Sequence, residues 1–205
     1  MAEWRNRSYS ESFVARFSAR YEALGGASAS VIRYQTDQNP DYAKVATDLL
    51  ATHPKIVLLV CGAVDASIVS QQLRRLDPHV QIAMASWAAN VQLLQLGGRA
   101  VEGALVLQAL DLDSREPAYV DFRKRFIERF GNAPSQAAVF SYDATMLGVE
   151  ALRRKKDSQS LRDVLRMPGE WPGLQQPLVL DRFGDSVSSF RLSEVRKGRF
   201  EMLSS

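Results

Sequence analysis

Apolar positions along this chain change spacing several times, and each change marks an element. Phe13, Phe17, Tyr21 and Leu24 recur every three or four residues, which places an aromatic stripe on one helix face. Ser8-Tyr9-Ser10-Glu11 has capping-box spacing, so that helix is expected to begin at Ser8, and Gly25-Gly26 supplies a left-handed stop. Residues 31–34 read as a strand. Asn39-Pro40 has the form of an N-cap followed by proline at the first helical position, with Tyr42, Val45, Ala46, Leu49 and Leu50 facing inward until Pro54.

Residues 56–61 are apolar without alternation, which suits a central parallel strand covered on both faces. A helix is expected from near Asp65, with Ile68, Val69, Leu73 and Leu76 on its inner side and Asp77-Pro78 at its end, followed by a strand at 80–85. This alternation of strand and helix predicts an α/β fold with a doubly wound parallel sheet. After Gly103 an apolar run at 104–107 leads to Pro117 and a helix carrying Tyr119, Phe122, Phe126 and Phe130, closed by Gly131. A helix at 135–152 follows, then a shorter one from Ser160, where Asp163 takes the acidic capping-box position. Short strands are expected at 178–180, 188–195 and 199–203, with turns at Gly184 and Lys197-Gly198.

Composition narrows the function. With 46% apolar and 24% charged residues over 205 positions, the chain has material for a buried core. Lys and Arg (26) exceed Asp and Glu (23) by three, a surplus too small to build a phosphate-binding face, so no nucleic acid partner is expected. Cys61 is the single cysteine, so no internal disulfide forms. Residues 1–7 lack the apolar core of a secretory signal, and no run of apolar residues is long enough to span a membrane. The expectation is a chain with no export signal of its own and no membrane span.

Catalytic chemistry finds little support. His53 and His79 stand beside prolines in loop-like contexts, away from the rigid support a catalytic base needs. Cys61 closes a buried strand before Gly62 and reads as a small buried hydrophobe, lacking the positive neighbour of a reactive thiolate. No phosphate-cradling glycine loop is present, and two distant histidines with one cysteine show no zinc spacing. Asp111 and Asp113 read as a polar loop. Arg153-Arg154-Lys155-Lys156 reads as a solvated helix end, where cations meet free carbonyls, with a docking patch for a partner as the alternative. No catalytic residue, metal or cofactor is expected; an α/β enzyme using Cys61 or the aspartates is the third alternative.

Ordered landmarks carry a resemblance. These are Tyr9 opening a helix that ends at Gly25-Gly26, Asp41-Tyr42, Gln72-Leu73-Arg74, Gly97-Gly98 with Glu102-Gly103, the run from Arg129 through Phe130, Gly131 and Asn132 to Ala133-Pro134-Ser135, Tyr142-Asp143-Ala144, and Asp181 with Gly184-Asp185. In this order and spacing the chain resembles the later part of the type I periplasmic solute-binding proteins, the branched-chain amino acid receptor family. That family closes two α/β lobes, joined by three crossing strands, over a small molecule.

The resemblance implies a type I fold with its N-terminal portion missing, including the opening strand of the second lobe. Residues 1–106 and 189–205 would form the second (C-terminal) lobe, and 107–188 the remaining part of the first. It also implies binding of a small solute, an amino acid or a related apolar or aromatic metabolite, for an ABC importer. A permease would be the partner, the periplasm the location, and no reaction would be catalysed. Capture is expected to be weak in a chain lacking half the pocket. The ligand-binding positions carried across are Tyr9, Ala63, Val64, Ser86 and Trp87. Trp87 or Ser86 stands where branched-chain receptors place an acidic residue for the ligand's ammonium group, which points to an apolar or aromatic ligand against Trp87. The alternative is an intracellular small-molecule sensor.

Overall fold

The structure, a computed structural model, describes residues 1–3, 6–27, 29–35, 39–186 and 190–203. Two compact units are formed, Met1–Gln108 with Arg191–Ser205, and Ala109–Phe190.

The first unit is built on parallel pairing. Its strands are β1 (Ala2–Glu3), β2 (Arg33–Tyr34), β3 (Ile56–Leu59), β4 (Gln81–Met84) and β5 (Leu105–Gln108), separated by α1 (Arg7–Ala23), α2 (Tyr42–Leu50), α3 (Ala63–Leu76) and α4 (Val91–Gly97). β3, β4 and β5 run parallel, with Ile56 opposite Gln81 and Met84 opposite Val106. β1 and β2 form a short parallel pair attached to β3 by the bridge between Ala2 and Val60. Each of the three longer parallel strands buries every second side chain: Leu59, Ile82, Met84 and Val106 meet Val69, Leu73 and Leu93 of α3 and α4 in one core.

The far side of this sheet is unevenly covered: Ile56 is 57% exposed and Leu58 half-buried, while Val60 on the same face is buried, so the expected cover on both faces is incomplete at the amino end of the strand. The chain re-enters the unit through β8 (Arg191–Arg196), which pairs antiparallel with β5, and turns back in β9 (Arg199–Met202). Gln108 and Ser193, both buried, tie β5 to β8: the Gln108 amide donates to Ser193 Oγ at 2.9 Å, and that hydroxyl donates to Val106 O at 3.0 Å.

Local chemistry explains several landmarks. α1 ends in a Schellman motif, with the Gly26 N–H donating to Tyr21 O and the Gly25 N–H to Glu22 O, both 2.9 Å, while Gly25 takes φ +84°. A Cβ on Gly26 would run into the Tyr21 ring, so this glycine answers a close approach as well. The Glu102 carboxylate accepts from the N–H groups of Lys197 (2.9 Å) and Gly198 (2.7 Å), both at positive φ, and so holds the β8–β9 turn from across the sheet.

The second unit is mainly helical: α5 (Pro117–Phe130), α6 (Gln136–Arg154) and α7 (Leu161–Leu165), with the two-residue antiparallel strands β6 (Glu170–Trp171) and β7 (Leu178–Val179). Pro117 opens α5, Gly131 closes it in the left-handed conformation, Ser135 caps α6, and Ser160 with Asp163 forms a complete capping box on α7. Two small cores form, one around Tyr119, Phe122 and Val139, the other around Ala151, Val164 and Trp171. Asp143 is buried and accepts the Leu174 N–H at 3.0 Å. Asp111 and Gln175 exchange two hydrogen bonds, Gln175 Nε2 donating to Asp111 O at 2.6 Å and Asp111 N donating to Gln175 Oε1 at 3.0 Å.

Several expectations change. α1 starts at Arg7 after Asn6, so Ser8 lies inside the helix and the capping box does not form; Glu11 instead pairs with Arg33 at 2.6 Å. The cap of α2 is Asp41, which accepts the Lys44 N–H, while Asn39 sits at φ 48° two residues before that cap. α3 begins at Ala63 rather than near Asp65, and Leu76, expected on its inner side, is exposed in the last residue of the helix. α4 and β6 were not anticipated. A strand ahead of α1, expected to be missing, is present as β1 between β2 and β3, held by the Ala2 N–H to Ile32 O and the Val60 N–H to Met1 O, each 2.9 Å. The expected strand at 188–195 begins on positions outside the described residues, and β8 runs from Arg191.

Two substitutions test this packing. Ser70 is fully buried on α3, and its hydroxyl is the buried side-chain group without a hydrogen-bond partner among the described residues. Ser70→Ala is expected to raise unfolding stability by about 1 kcal/mol in denaturant titration; a loss of that size would show that the hydroxyl has a partner. Burial pushes the Asp143 carboxyl above its usual value, opposed by the Leu174 N–H. The folded state therefore binds this proton more tightly than the unfolded state, so the destabilisation is absent below the ordinary carboxylate range and fully present above the raised folded value. Asp143→Asn, which keeps the acceptor oxygen, is expected to melt higher than the parent at pH 7, with the gap closing towards pH 3.5.

Candidate functional site

Three parallel strands of the first unit end on the same edge, and each hands the chain to a residue of interest. β1 leads to Tyr9 in the first turn of α1, β3 leads through Cys61 and Gly62 to Ala63 and Val64 at the start of α3, and β4 leads to a single 3-10 turn, Ser86–Ala88. Parallel strands joined by crossovers deliver their following loops to one side of the sheet, the position where α/β proteins form binding clefts.

The side chains meet there. The Tyr9 and Ser86 hydroxyls share a hydrogen bond of 3.2 Å across 77 positions of sequence. Tyr9 and Trp87 stand edge to face, with centroids 5.7 Å apart at 75°, in the range where such ring pairs attract. Phe13 extends the cluster, its ring 6.1 Å from Tyr9. Trp87 is 36% exposed and Val64 45%, so both present surface to solvent. Ala63 is 4% exposed and belongs to the core. Of the five positions named from sequence, Tyr9, Ser86 and Trp87 are in contact with one another, while Ala63 and Val64 open α3 after the same end of the sheet.

Two neighbours were not singled out. Gly62 is the N-cap of α3 and makes no side-chain cap to the first-turn N–H groups; a Cβ there would lie 3.6 Å from the Trp87 ring, ordinary van der Waals contact, which places Gly62 beside that ring. Behind it, Asp65 accepts from the phenols of Tyr34 (2.6 Å) and Tyr42 (2.7 Å). Burial, reinforced by Cys61 and Asp65, pushes the Tyr34 phenol far above its ordinary value and keeps it neutral as a donor. The carboxylate at the mouth of α3 is therefore engaged by two hydroxyls. The sequence signal was the inward placing of Tyr42; nothing in spacing joined it to Asp65.

The corner offers aromatic surface, two hydroxyls and main-chain donors, which suits reversible contact with a small molecule. Among the described residues no three His, Cys, Asp or Glu side chains converge as metal ligands, and no helix is long and apolar enough to cross a membrane.

A family model described as "Periplasmic binding protein" matches residues 5–199. No curated protein matches the sequence. Among solved structures, the leucine-binding protein LivK of Thermotoga maritima superposes with a TM-score of 0.82 at 22% identity, over 96% of this chain and 56% of that one. LivJ of Streptococcus pneumoniae, solved with isoleucine, gives 0.80 at 14% identity, over 98% and 58%. A solute-binding protein of an R. palustris ABC transporter, solved with benzoate, gives 0.78 at 18% identity, over 95% and 54%. The chain thus spans little more than half the length of these relatives, and at such identities the likeness is one of fold. The family match over nearly the whole sequence, carried on this parallel α/β architecture, shows that the chain belongs to the periplasmic binding protein family, of the type I kind, whose members bind solutes and catalyse no reaction.

Proposed function

We propose that this chain carries part of the solute-binding face of an ABC importer's receptor, with Tyr9, Ser86 and Trp87 as the contact surface, Val64 at its rim and Ala63 contributing its main chain. The observation that supports this reading is the convergence of Tyr9, Ser86 and Trp87 at the carboxyl edge of three parallel strands. The first unit takes the role of the second lobe, and Ala109–Phe190 that of a part of the first. Family membership supports a periplasmic location and a permease as partner.

The proposed ligand is a small apolar or aromatic acid. Two rings at a right angle supply an apolar corner, the hydroxyls and main-chain donors supply polar contacts, and Asp65 is occupied by Tyr34 and Tyr42 rather than open to an ammonium group. Benzoate is the ligand in the R. palustris structure, and isoleucine in that of LivJ.

Titration of benzoate and of leucine into the isotope-labelled chain, followed by NMR, is expected to shift Gly62, Val64, Ser86 and the Trp87 indole, with benzoate the stronger ligand. Trp87→Ala is expected to weaken benzoate at least tenfold, on the order of 1.4 kcal/mol for a lost aromatic wall, and Tyr9→Phe a few-fold. Shifts confined to other parts of the chain, or an unchanged affinity in Trp87→Ala, would remove the proposed site.

A further inference from the structure

The five-stranded sheet of the first unit, in the order β3-β4-β5-β8-β9, ends at β9, and no described strand lies against its outer side. The polarity of that edge follows from the pairing inside it. The Leu203 N–H donates to Leu192 O at 2.9 Å, so Leu203 turns its backbone polar groups towards β8, and alternation turns those of Glu201 and Arg199 the same way. The N–H and C=O of Phe200 and Met202 therefore point outward. At the turn the edge is closed, because Glu102 already holds the N–H groups of Lys197 and Gly198.

Side chains decide what fits such an edge. β9 pairs with β8 over four successive positions without a bulge and carries no proline, so two common guards of an exposed edge are missing. Phe200 packs against the core on the face that carries Val195, its cross-strand partner. Arg199 and Glu201 stand on the opposite face, both exposed. Glu201 lies 3.7 Å from Arg196 of β8, whose shorter contact, 2.7 Å, is with Glu194, while Arg199 makes no ion pair among the described residues. Charges guard an edge when they repel their own image, and these two attract it. A two-fold axis through Phe200 sets Arg199 of one strand opposite Glu201 of the other, twice, and Phe200 opposite Phe200. Moving the axis by half a residue would set Arg199 opposite Met202 and Phe200 opposite Glu201, so the charges select one antiparallel register.

We propose that β9 is the contact through which a second copy of this chain joins the first, antiparallel and related by a two-fold axis at Phe200. Each Phe200 N–H donates to the Phe200 carbonyl of the other copy, the Arg199–Glu201 pairs flank these bonds on the outer face, and the two sheets become one. The contact is small, so association is weak and depends on concentration.

The test is sedimentation velocity on the 205-residue chain at concentrations up to about 1 mM, the range in which a small contact associates, with amide hydrogen exchange at both ends of the range. The chain is expected to pass from monomer to dimer as concentration rises, with exchange of the Phe200 amide slowed at least tenfold at the upper end. Arg199→Glu and Glu201→Arg each set like charges opposite one another at both ends of the pairing, and each is expected to weaken self-association at least tenfold with an unchanged circular dichroism spectrum. Mixed in equal amounts, the two variants present opposite charges to each other and are expected to associate at least as tightly as the parent. A parent that stays monomeric over the whole range would overturn the proposal, as would a mixture of the variants that fails to associate. A dimer whose Phe200 amide exchanges freely, or one that both single variants form as readily as the parent, would overturn it equally.

Discussion

Parallel pairing of β3 with β4 and of β4 with β5 is the constraint on which the first unit rests. Two parallel neighbours cannot be joined by a tight turn, so the chain must cross back over the sheet, and α3 and α4 are those crossings. Each crossing buries one stripe, which is why every second residue of these strands is buried against Val69, Leu73 and Leu93. It also delivers every strand's exit to one edge. Gly62, Ser86 and Trp87 stand together for that reason, and β1 adds Tyr9 by the same rule.

Most of the polar groups at the joints of this architecture have specific partners, the buried Ser70 hydroxyl being the exception. Glu102 holds the β8–β9 turn, Gln108 and Ser193 join β5 to β8, and Asp65 gathers two tyrosines behind α3. The buried pair Gln108–Ser193 favours one register over its neighbours, since a shift of one residue would part the two groups inside the sheet. Asp143 is the more costly case, a buried carboxylate in a small helical unit whose cores hold few residues.

Much of the fold was legible in the sequence. Pro117 and Gly131 bounded α5, Ser160 with Asp163 capped α7, and the unbroken apolar run at 56–61 announced the parallel sheet, of which 56–59 are β3. The failures have local causes. Asn39 and Ser8 carry capping side chains without capping geometry, because Asp41 and Asn6 stand where the chain enters the helix. α4 is seven residues long and buries only Leu93 and Gly97, too few positions to show a period. β1 owes its existence to its neighbours rather than to any pattern of its own. The candidate site could be named only through the ordered landmarks, since Tyr9 and Ser86 are brought together by the sheet across 77 positions, a distance no spacing rule spans.

A crystal structure of the chain grown with benzoate bears most directly on the central claim, that the carboxyl edge of the parallel strands holds the solute. The account predicts the ring of the ligand against Trp87, with the Tyr9 hydroxyl turned from Ser86 towards the ligand. A ligand seated away from Gly62, Ser86 and Trp87, with the Tyr9–Ser86 bond intact, would contradict it.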